Sequence, residues 1–371
     1  MIVTPLVRAV MRDRFLQLLL VTGLLLCLFV PFHPRAWPGA IDWKTIITLS
    51  GLMMLTKGME LSGYFDVLGR KMVRRFRTER ALALFMVAAA ALLSTFLTND
   101  VALFIIVPLT IILRKMCALP VSRLIIFEAL AVNSGSLLTP IGNPQNILLW
   151  GRSGLTFTGY ILEMLPLAAV LMVSLLILCW WCFPARPLVY HASTERVDWR
   201  RRLLVASAVG YGIFITALEL RQPLVGLIIV ALIFLGFARR VITSIDWTLL
   251  AVFVVMFIDV HLLTQLPVLT RDLPALAGLG QGGVFAAGIG LSQVISNVPA
   301  TILLVNYLPA DRVLAWAVNI GGFGLLPGSM ANLIALRMAA DRRIWWRFHL
   351  YSLPALAWAA LCGYLLLKCI G

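Results

Sequence analysis

The chain has 371 residues, 61% of them hydrophobic and only 13% charged, with a formal net charge of +15. A soluble core cannot absorb that much apolar surface, so a water-soluble globular protein is excluded and a polytopic membrane protein is expected. The apolar runs are long and do not alternate with period two, which leaves helices rather than a barrel as the spanning structure. The basic excess does not point to nucleic acid, because Lys and Arg collect in short loops, as the cytoplasmic side of a membrane protein requires.

The first apolar run follows Arg8, Arg12 and Arg14 and has no small-residue cleavage site behind it, so it reads as a retained span over about 15–31. A second span covers about 43–62 and enters a loop carrying Arg70, Lys71, Arg74, Arg75, Arg77 and Arg80, which places that loop and the N-terminus in the cytoplasm. The stretch from Ala81 to Leu113 is far too long for one crossing of a core about 30 Å thick at 1.5 Å per residue. It is interrupted by "STFLTND" at Ser94–Asp100 and flanked by basic residues at both ends. This reads as a re-entrant hairpin from the cytoplasm with "LTND" at its tip. A broken helix starting near Arg123 follows, unwound at "NSGSLLTPIGNPQN" (Asn133–Asn146). The next span, about 157–183, returns to a cytoplasmic loop with Arg186, Arg196 and Arg200 to Arg202.

Spans at about 203–219, 223–238 and 247–263 come next, and Arg239-Arg240 fixes the second of these as ending inside. A second hairpin, from Gln281 to Leu308, is broken by "VISNVPA" and dips from the outside. A second broken helix, about 312–340, carries "NIGGFGLLPGSMAN" and ends inside at Arg342-Arg343, and a final span over about 349–369 leaves the C-terminus outside. The expected fold is therefore an all-α polytopic membrane protein: an inverted repeat of helices with two re-entrant hairpins, two broken helices and about nine full spans.

The two halves echo each other. "IDW" occurs at Ile41–Trp43 and at Ile245–Trp247, and the hairpin tips match at Asn99 and Asn297. In the broken helices Asn133, Gly135, Gly142 and Asn146 match Asn319, Gly321, Gly328 and Asn332 at one common offset. Residues 1–183 read as the first repeat, 184–219 as a linker and flipping helix, and 220–371 as the inverted second repeat. Unwound backbone at membrane depth is tolerated only where it is buried in protein or lines a cavity, and in transporters it lines the substrate site. Prolines there remove amide donors, glycines allow close approach, and freed carbonyls and helix N-termini are ion ligands.

The candidate binding residues are Thr98, Asn99 and Asp100 at the first tip and Ser296 and Asn297 at the second. Asn133, Gly135, Ser136, Thr139, Gly142, Asn143 and Asn146 come from the first unwound segment. Asn319, Gly321, Gly322, Gly328, Ser329 and Asn332 come from the second. Ionisable groups inside the membrane are functional candidates by default, and Asp100, Glu128, Asp259 and His261 are the candidate proton carriers. Lys57 stands at the repeat equivalent of His261. The "CWWC" at Cys179–Cys182 has CxxC spacing but falls in a span, where small apolar filler is the simpler reading.

"TND" with "PL" eight residues beyond the Asp, "NSGSLLTPIGNPQN" and "SNVPATILL" resemble the ion transporter superfamily, in its branch of arsenite permeases, related sodium–proton antiporters and citrate–metal transporters. The resemblance covers nearly the whole chain. It implies a secondary carrier coupled to protons or sodium, an elevator movement of a domain carrying both hairpins and both broken helices, and a homodimer. Dicarboxylate symporters in the superfamily have Ser-Asn-Thr at both tips; here the triplets are Thr98-Asn99-Asp100 and Ser296-Asn297-Val298.

The function expected from the sequence is secondary transport of a small inorganic ion or oxyanion, arsenite-like, or sodium–proton exchange. A citrate-type small carboxylate is the alternative, and a redox protein or sensor built on the CxxC is the reading from another class. No metal site, no cofactor beyond coupling sodium ions or protons, and no enzymatic step are expected. The partners are the lipid bilayer and a second copy of the chain, in a bacterial inner membrane.

Overall fold

The structure is a computed structural model and describes residues 13–31, 33–189, 199–220, 222–267 and 273–370. Arg8, Arg12 and Arg196, used above for orientation, lie outside these. The described chain is helical, with bridge residues at Thr78, Cys117 and Pro187, of which Thr78 and Pro187 pair with each other. Five helices are long and apolar enough to cross a bilayer and three shorter ones are strongly apolar. The chain is thus an all-α polytopic membrane protein. It divides into two compact units, each drawn from both halves of the sequence: one holds residues 1–64 and 198–274, the other 65–197 and 275–371.

The first unit contains α1 (Arg14–Leu26), α2 (Trp43–Leu61), α9 (Arg201–Glu219), α10 (Pro223–Phe237) and α11 (Trp247–Thr264). The repeated "IDW" has a local cause. Asp42 and Asp246 are side-chain N-caps of α2 and α11, accepting from Thr45 N and Leu249 N. The indoles of Trp43 and Trp247 each donate to a carbonyl five residues upstream, Pro38 O at 2.8 Å and Ile242 O at 3.1 Å. Helix packing in the unit uses small residues as notches, as expected where no hydrophobic force separates helix from lipid. A Cβ on Gly51 would stand 2.3 Å from the Phe214 ring, and one on Gly58 2.4 Å from Ser207 Oγ. Thr56 and Tyr211 share a hydrogen bond of 2.6 Å beside them.

The second unit contains α4 (Glu79–Phe96), α5 (Asn99–Met116), α6 (Val121–Ser136), α7 (Pro144–Ser153) and α8 (Phe157–Cys182) from the first half. From the second half come α12 (Gln281–Ile295), α13 (Asn297–Leu304), α14 (Arg312–Ile320), α15 (Met330–Met338) and α16 (Ile344–Ile370). Hairpin α4–α5 packs on α6, and hairpin α12–α13 packs on α14. The second arms cross over: α5 lies on α15, and α13 lies on α7. The two basic loops assigned to the cytoplasm are joined, since Glu79 N donates to Arg186 O and Leu188 N to Arg77 O.

Two local expectations change. The basic loop after the second span is mostly a helix, α3 (Tyr64–Arg75), whose apolar residues recur among its basic ones on the helical period. The first span is a shorter helix than expected, ending at Leu26 and followed by turns.

Candidate functional site

Each hairpin turns where a polar residue replaces the apolar helix pattern. At the first tip Thr98, in extended backbone, caps α5 through Val101 N. Asn99 N donates to Gly142 O at 3.0 Å, and Asn99 Oδ1 accepts from Asp100 N. At the second tip Ser296 has φ +72° and ψ +152° and makes no side-chain cap. That backbone region is nearly exclusive to glycine, and a serine held there stores about 1–3 kcal/mol of strain. The Ser296 hydroxyl is 1% exposed and has no hydrogen-bond partner.

The unwound segments between α6 and α7 and between α14 and α15 are tied together by a reciprocal set of amide bonds. Asn133 Nδ2 donates to Asn332 Oδ1 at 2.9 Å, and Asn319 Nδ2 donates to Asn146 Oδ1 at 2.8 Å. Asn133 matches Asn319 and Asn146 matches Asn332, so one bond is the repeat image of the other. The image extends further. Ser329 Oγ donates to Asn133 Oδ1 and Asn143 Nδ2 to Asn319 Oδ1, each at 3.1 Å, and positions 143 and 329 are equivalent. Asn332 Nδ2 donates to Gly322 O as Asn146 Nδ2 donates to Ser136 O. Exchange of identical contacts between two halves is what a two-fold axis produces.

The paired glycines allow close approach. A Cβ on Gly135 would lie 2.5 Å from Ser94 Oγ, and one on Gly321 2.6 Å from Ser292 Oγ. A Cβ on Gly142 would meet Ser136 O at 2.1 Å, and one on Gly328 would meet Gly321 O at 2.6 Å.

All eighteen candidate binding positions lie in one unit, and every one except Thr98 and Asp100 is buried. Their roles separate. The freed carbonyls expected to face an ion are in good part capped: Thr139 O and Leu137 O accept from Asn146, and Gly322 O accepts from both Asn133 and Asn332. The reason is low polarity at depth, where an unmet carbonyl costs more than an ordered amide. Among the candidate binding residues, the buried side-chain atoms without a hydrogen-bond partner are Ser296 Oγ and Asp100 Oδ1, one at each tip. The Asn297 amide stands beside Gly322 and Asn133.

Two contributors were missed in the sequence reading. Thr95 Oγ1 donates to Gly135 O, and Gln293 Nε2 donates to Gly321 O at 2.6 Å. Each stands four residues before its tip Asn, directly after Ser94 or Ser292, so the repeat itself carried the signal.

The proton candidates are split between units. Asp100 and Glu128 share the unit with the site. Asp259 and His261 lie in the other, where Asp259 is 4% exposed, packs on Gly23 and leaves both oxygens unpartnered. His261 reaches Gln265 at 2.8 Å, and Lys57 pairs with Glu60 at 3.0 Å. Cys179 and Cys182 are free thiols. A cavity of about 510 Å³ between the ends of α7, α8 and α14 is lined by Arg152, Glu163, Asp311 and Arg312 and does not include the tips.

Paired hairpins set against paired unwound helices, related by a two-fold exchange of contacts, are the build of a membrane transporter. The chain belongs to the CitMHS family, described as citrate transporters, whose model matches residues 6–311. It is 67% identical over 363 residues to inner membrane protein YbiR of Escherichia coli, covering 98% of each chain. It is 30% identical over 344 residues to the uncharacterized transporter MJ0456 of Methanocaldococcus jannaschii, covering 88% of this chain and 90% of the other. A 178-residue segment is 30% identical to the human P protein, covering 46% of this chain and 19% of that one.

Proposed function

We propose that the protein is a secondary active carrier of a small inorganic ion or oxyanion, arsenite-like, or a sodium–proton exchanger, driven by a proton or sodium gradient. The observation that carries this reading is the character of the unpartnered groups. At the tips these are Ser296 Oγ and Asp100 Oδ1, a hydroxyl and one carboxyl, and no Lys or Arg is among the candidate binding residues. A small hydroxide or a single cation suits such a lining. A multiply charged carboxylate would meet Asp100 with no basic side chain to offset it.

In this reading the tips bind the solute and Asp100 couples it to protons. The asparagine network holds the two unwound segments as one body, and the unit carrying them moves as an elevator against the other unit in a homodimer. The relative's description supports an inner-membrane location; the distribution of basic residues supports an N-terminus in the cytoplasm and a C-terminus in the periplasm. The family description favours a second reading, a citrate-type carboxylate. The helices α5, α7, α13 and α15 all begin at the site, and their N-termini would receive an anion.

Uptake into proteoliposomes under imposed proton or sodium gradients separates these readings, with arsenite, sodium and citrate as test solutes. The first reading expects gradient-driven arsenite or sodium flux that Asn99→Ala abolishes without loss of folded protein. It also expects that Asp100→Asn uncouples that flux from protons. Citrate flux alone would transfer the assignment to the second reading, and flux unchanged in Asn99→Ala would remove the tip as the site.

A further inference from the structure

Glu128 lies on α6, among helices α4, α5, α8, α15 and α16, and its relative exposure is 0%. Its Oε1 accepts from the Thr110 hydroxyl of α5, and its Oε2 is buried with no hydrogen-bond partner. The surrounding helices carry charged and titratable groups at several levels. On α5 these are Asp100 at the tip and Arg114 and Lys115 in the exposed last turn; on α4 they are Glu79 and Arg80 at its start. Arg337 ends α15, Glu163 and Tyr160 lie in the first part of α8, and Arg347, His349 and Tyr351 lie in the first part of α16. Arg123, near the start of α6 itself, donates to Cys182 O. Among the described residues, no ion pair or hydrogen bond joins any of these to the Glu128 carboxyl.

A carboxylate buried this deeply without a cation is strongly disfavoured, so the occluded form is the neutral acid. The repeat supplies an internal control. The position equivalent to Glu128 in the second broken helix is Leu314, which is buried. The fold therefore accepts a leucine at this place in one half and puts an acid there in the other, while α13, ending at Leu304, has no helical counterpart of Thr110. Asp100 follows the same pattern, standing where the second half has Val298. Thr110 is ten residues along α5 from Asp100, about 15 Å at the helical rise. The two carboxyls are therefore separate sites.

We propose that Glu128, with Thr110 as its hydrogen-bond partner, is a proton-binding site of the second unit, distinct from the hairpin tips and confined to the first repeat. In the conformation described here the proton is held on the carboxyl and sealed from water. In a conformation that wets this layer, the O–H bond breaks, the proton passes to water, and the carboxylate left behind is held by the Thr110 hydroxyl until a proton from the opposite side reloads it. This assignment rests on the proposed carrier function only for which solute the proton drives.

The first test needs no solute. Infrared difference spectra of the reconstituted protein are recorded while the pH is stepped through neutrality, for the natural protein and for Glu128→Gln. The expected result is a protonated-carboxyl band that loses intensity as pH rises and is missing in Glu128→Gln. A band unaffected by the substitution, or one attributable to Glu128 that does not change with pH, overturns the proposal. The second test measures proton-gradient-driven accumulation of whichever solute the uptake screen identifies, and expects the accumulation ratio in Glu128→Gln to fall to its no-gradient value. An undiminished ratio overturns the proposal even with the carrier function intact. The double variant Thr110→Leu/Glu128→Leu, which fills the place with apolar side chains as Leu314 does in the second repeat, is expected to fold and to give the same loss of the band, which guards against a folding failure of the single variant.

Discussion

Asn146 and Asn332 occupy equivalent places, yet their surroundings predict unequal costs of removal. Asn146 Nδ2 reaches three carbonyls, Ser136 O at 3.2 Å, Leu137 O at 3.2 Å and Thr139 O at 3.0 Å, while its Oδ1 accepts from Asn319. Asn332 Nδ2 reaches one, Gly322 O at 2.9 Å, which Asn133 Nδ2 also contacts at 3.1 Å. Thr139 O also accepts from Gly142 N, so Asn146→Ala leaves two carbonyls, Ser136 O and Leu137 O, without a donor. Asn332→Ala leaves none, because Asn133 still serves Gly322 O. Each buried unmet carbonyl costs about 1–3 kcal/mol. Asn146→Ala is therefore expected to be the more destabilising by about 2–6 kcal/mol before any water enters the space, and about half that if one water does. At about 2–4 °C per kcal/mol for a domain of this size, the two variants should unfold at least about 2 °C apart. Thermal unfolding of the purified protein in one detergent measures this. Equal midpoints, or a lower one for Asn332→Ala, would show that the carbonyl count does not set the cost.

Gly135→Ala should lower the unfolding midpoint markedly, because its Cβ would lie 2.1 Å from the backbone oxygen of Ala91 and only separation of α4 from α6 can relieve it. Gly151→Ala, with nothing within 4 Å, should be within experimental scatter of the natural protein in the same assay. Ser296→Gly should raise the midpoint by relieving a positive φ worth about 1–3 kcal/mol while weakening solute binding, read as a raised half-saturation constant in uptake. A fourth expectation concerns Asp341 in the loop between α15 and α16. Its carboxyl accepts from Ser122 Oγ at 2.6 Å and from Arg343 N, and these bonds hold it below the usual aspartate range. A lowered folded-state value contributes stability above the unfolded value of about 3.9, and that contribution is lost as pH falls through the folded value. The midpoint difference between Ser122→Ala and the natural protein should therefore be present at neutral pH and shrink on acidification; a gap that widened in acid would contradict it.

Much of this arrangement was legible because the membrane leaves few alternatives. An apolar stretch too long for one crossing and broken by "TND" had to turn, and a segment with Pro140, Gly142 and Pro144 could not stay helical. The paired motifs located the unwound segments to within a few residues. The partition into units was not legible, since each unit takes residues from both halves and helix-period patterns carry no information on partners. The φ of Ser296 was also hidden, because nothing in "ISNV" demands a glycine-like turn. The fate of the unwound carbonyls was read too openly. Which of Asn133, Asn143, Asn146, Asn319 and Asn332 would serve the backbone depends on cross-repeat distances that spacing alone does not contain.

The swapped asparagine contacts bear on ancestry. A polypeptide bearing a single copy of this motif would own Asn133 and Asn146 but find neither partner within itself. It could complete both bonds only by meeting a second molecule, so a single-copy ancestor would have to pair. The present chain holds both copies in one covalent strand, and severing it between them should yield two fragments that are stable only when made together.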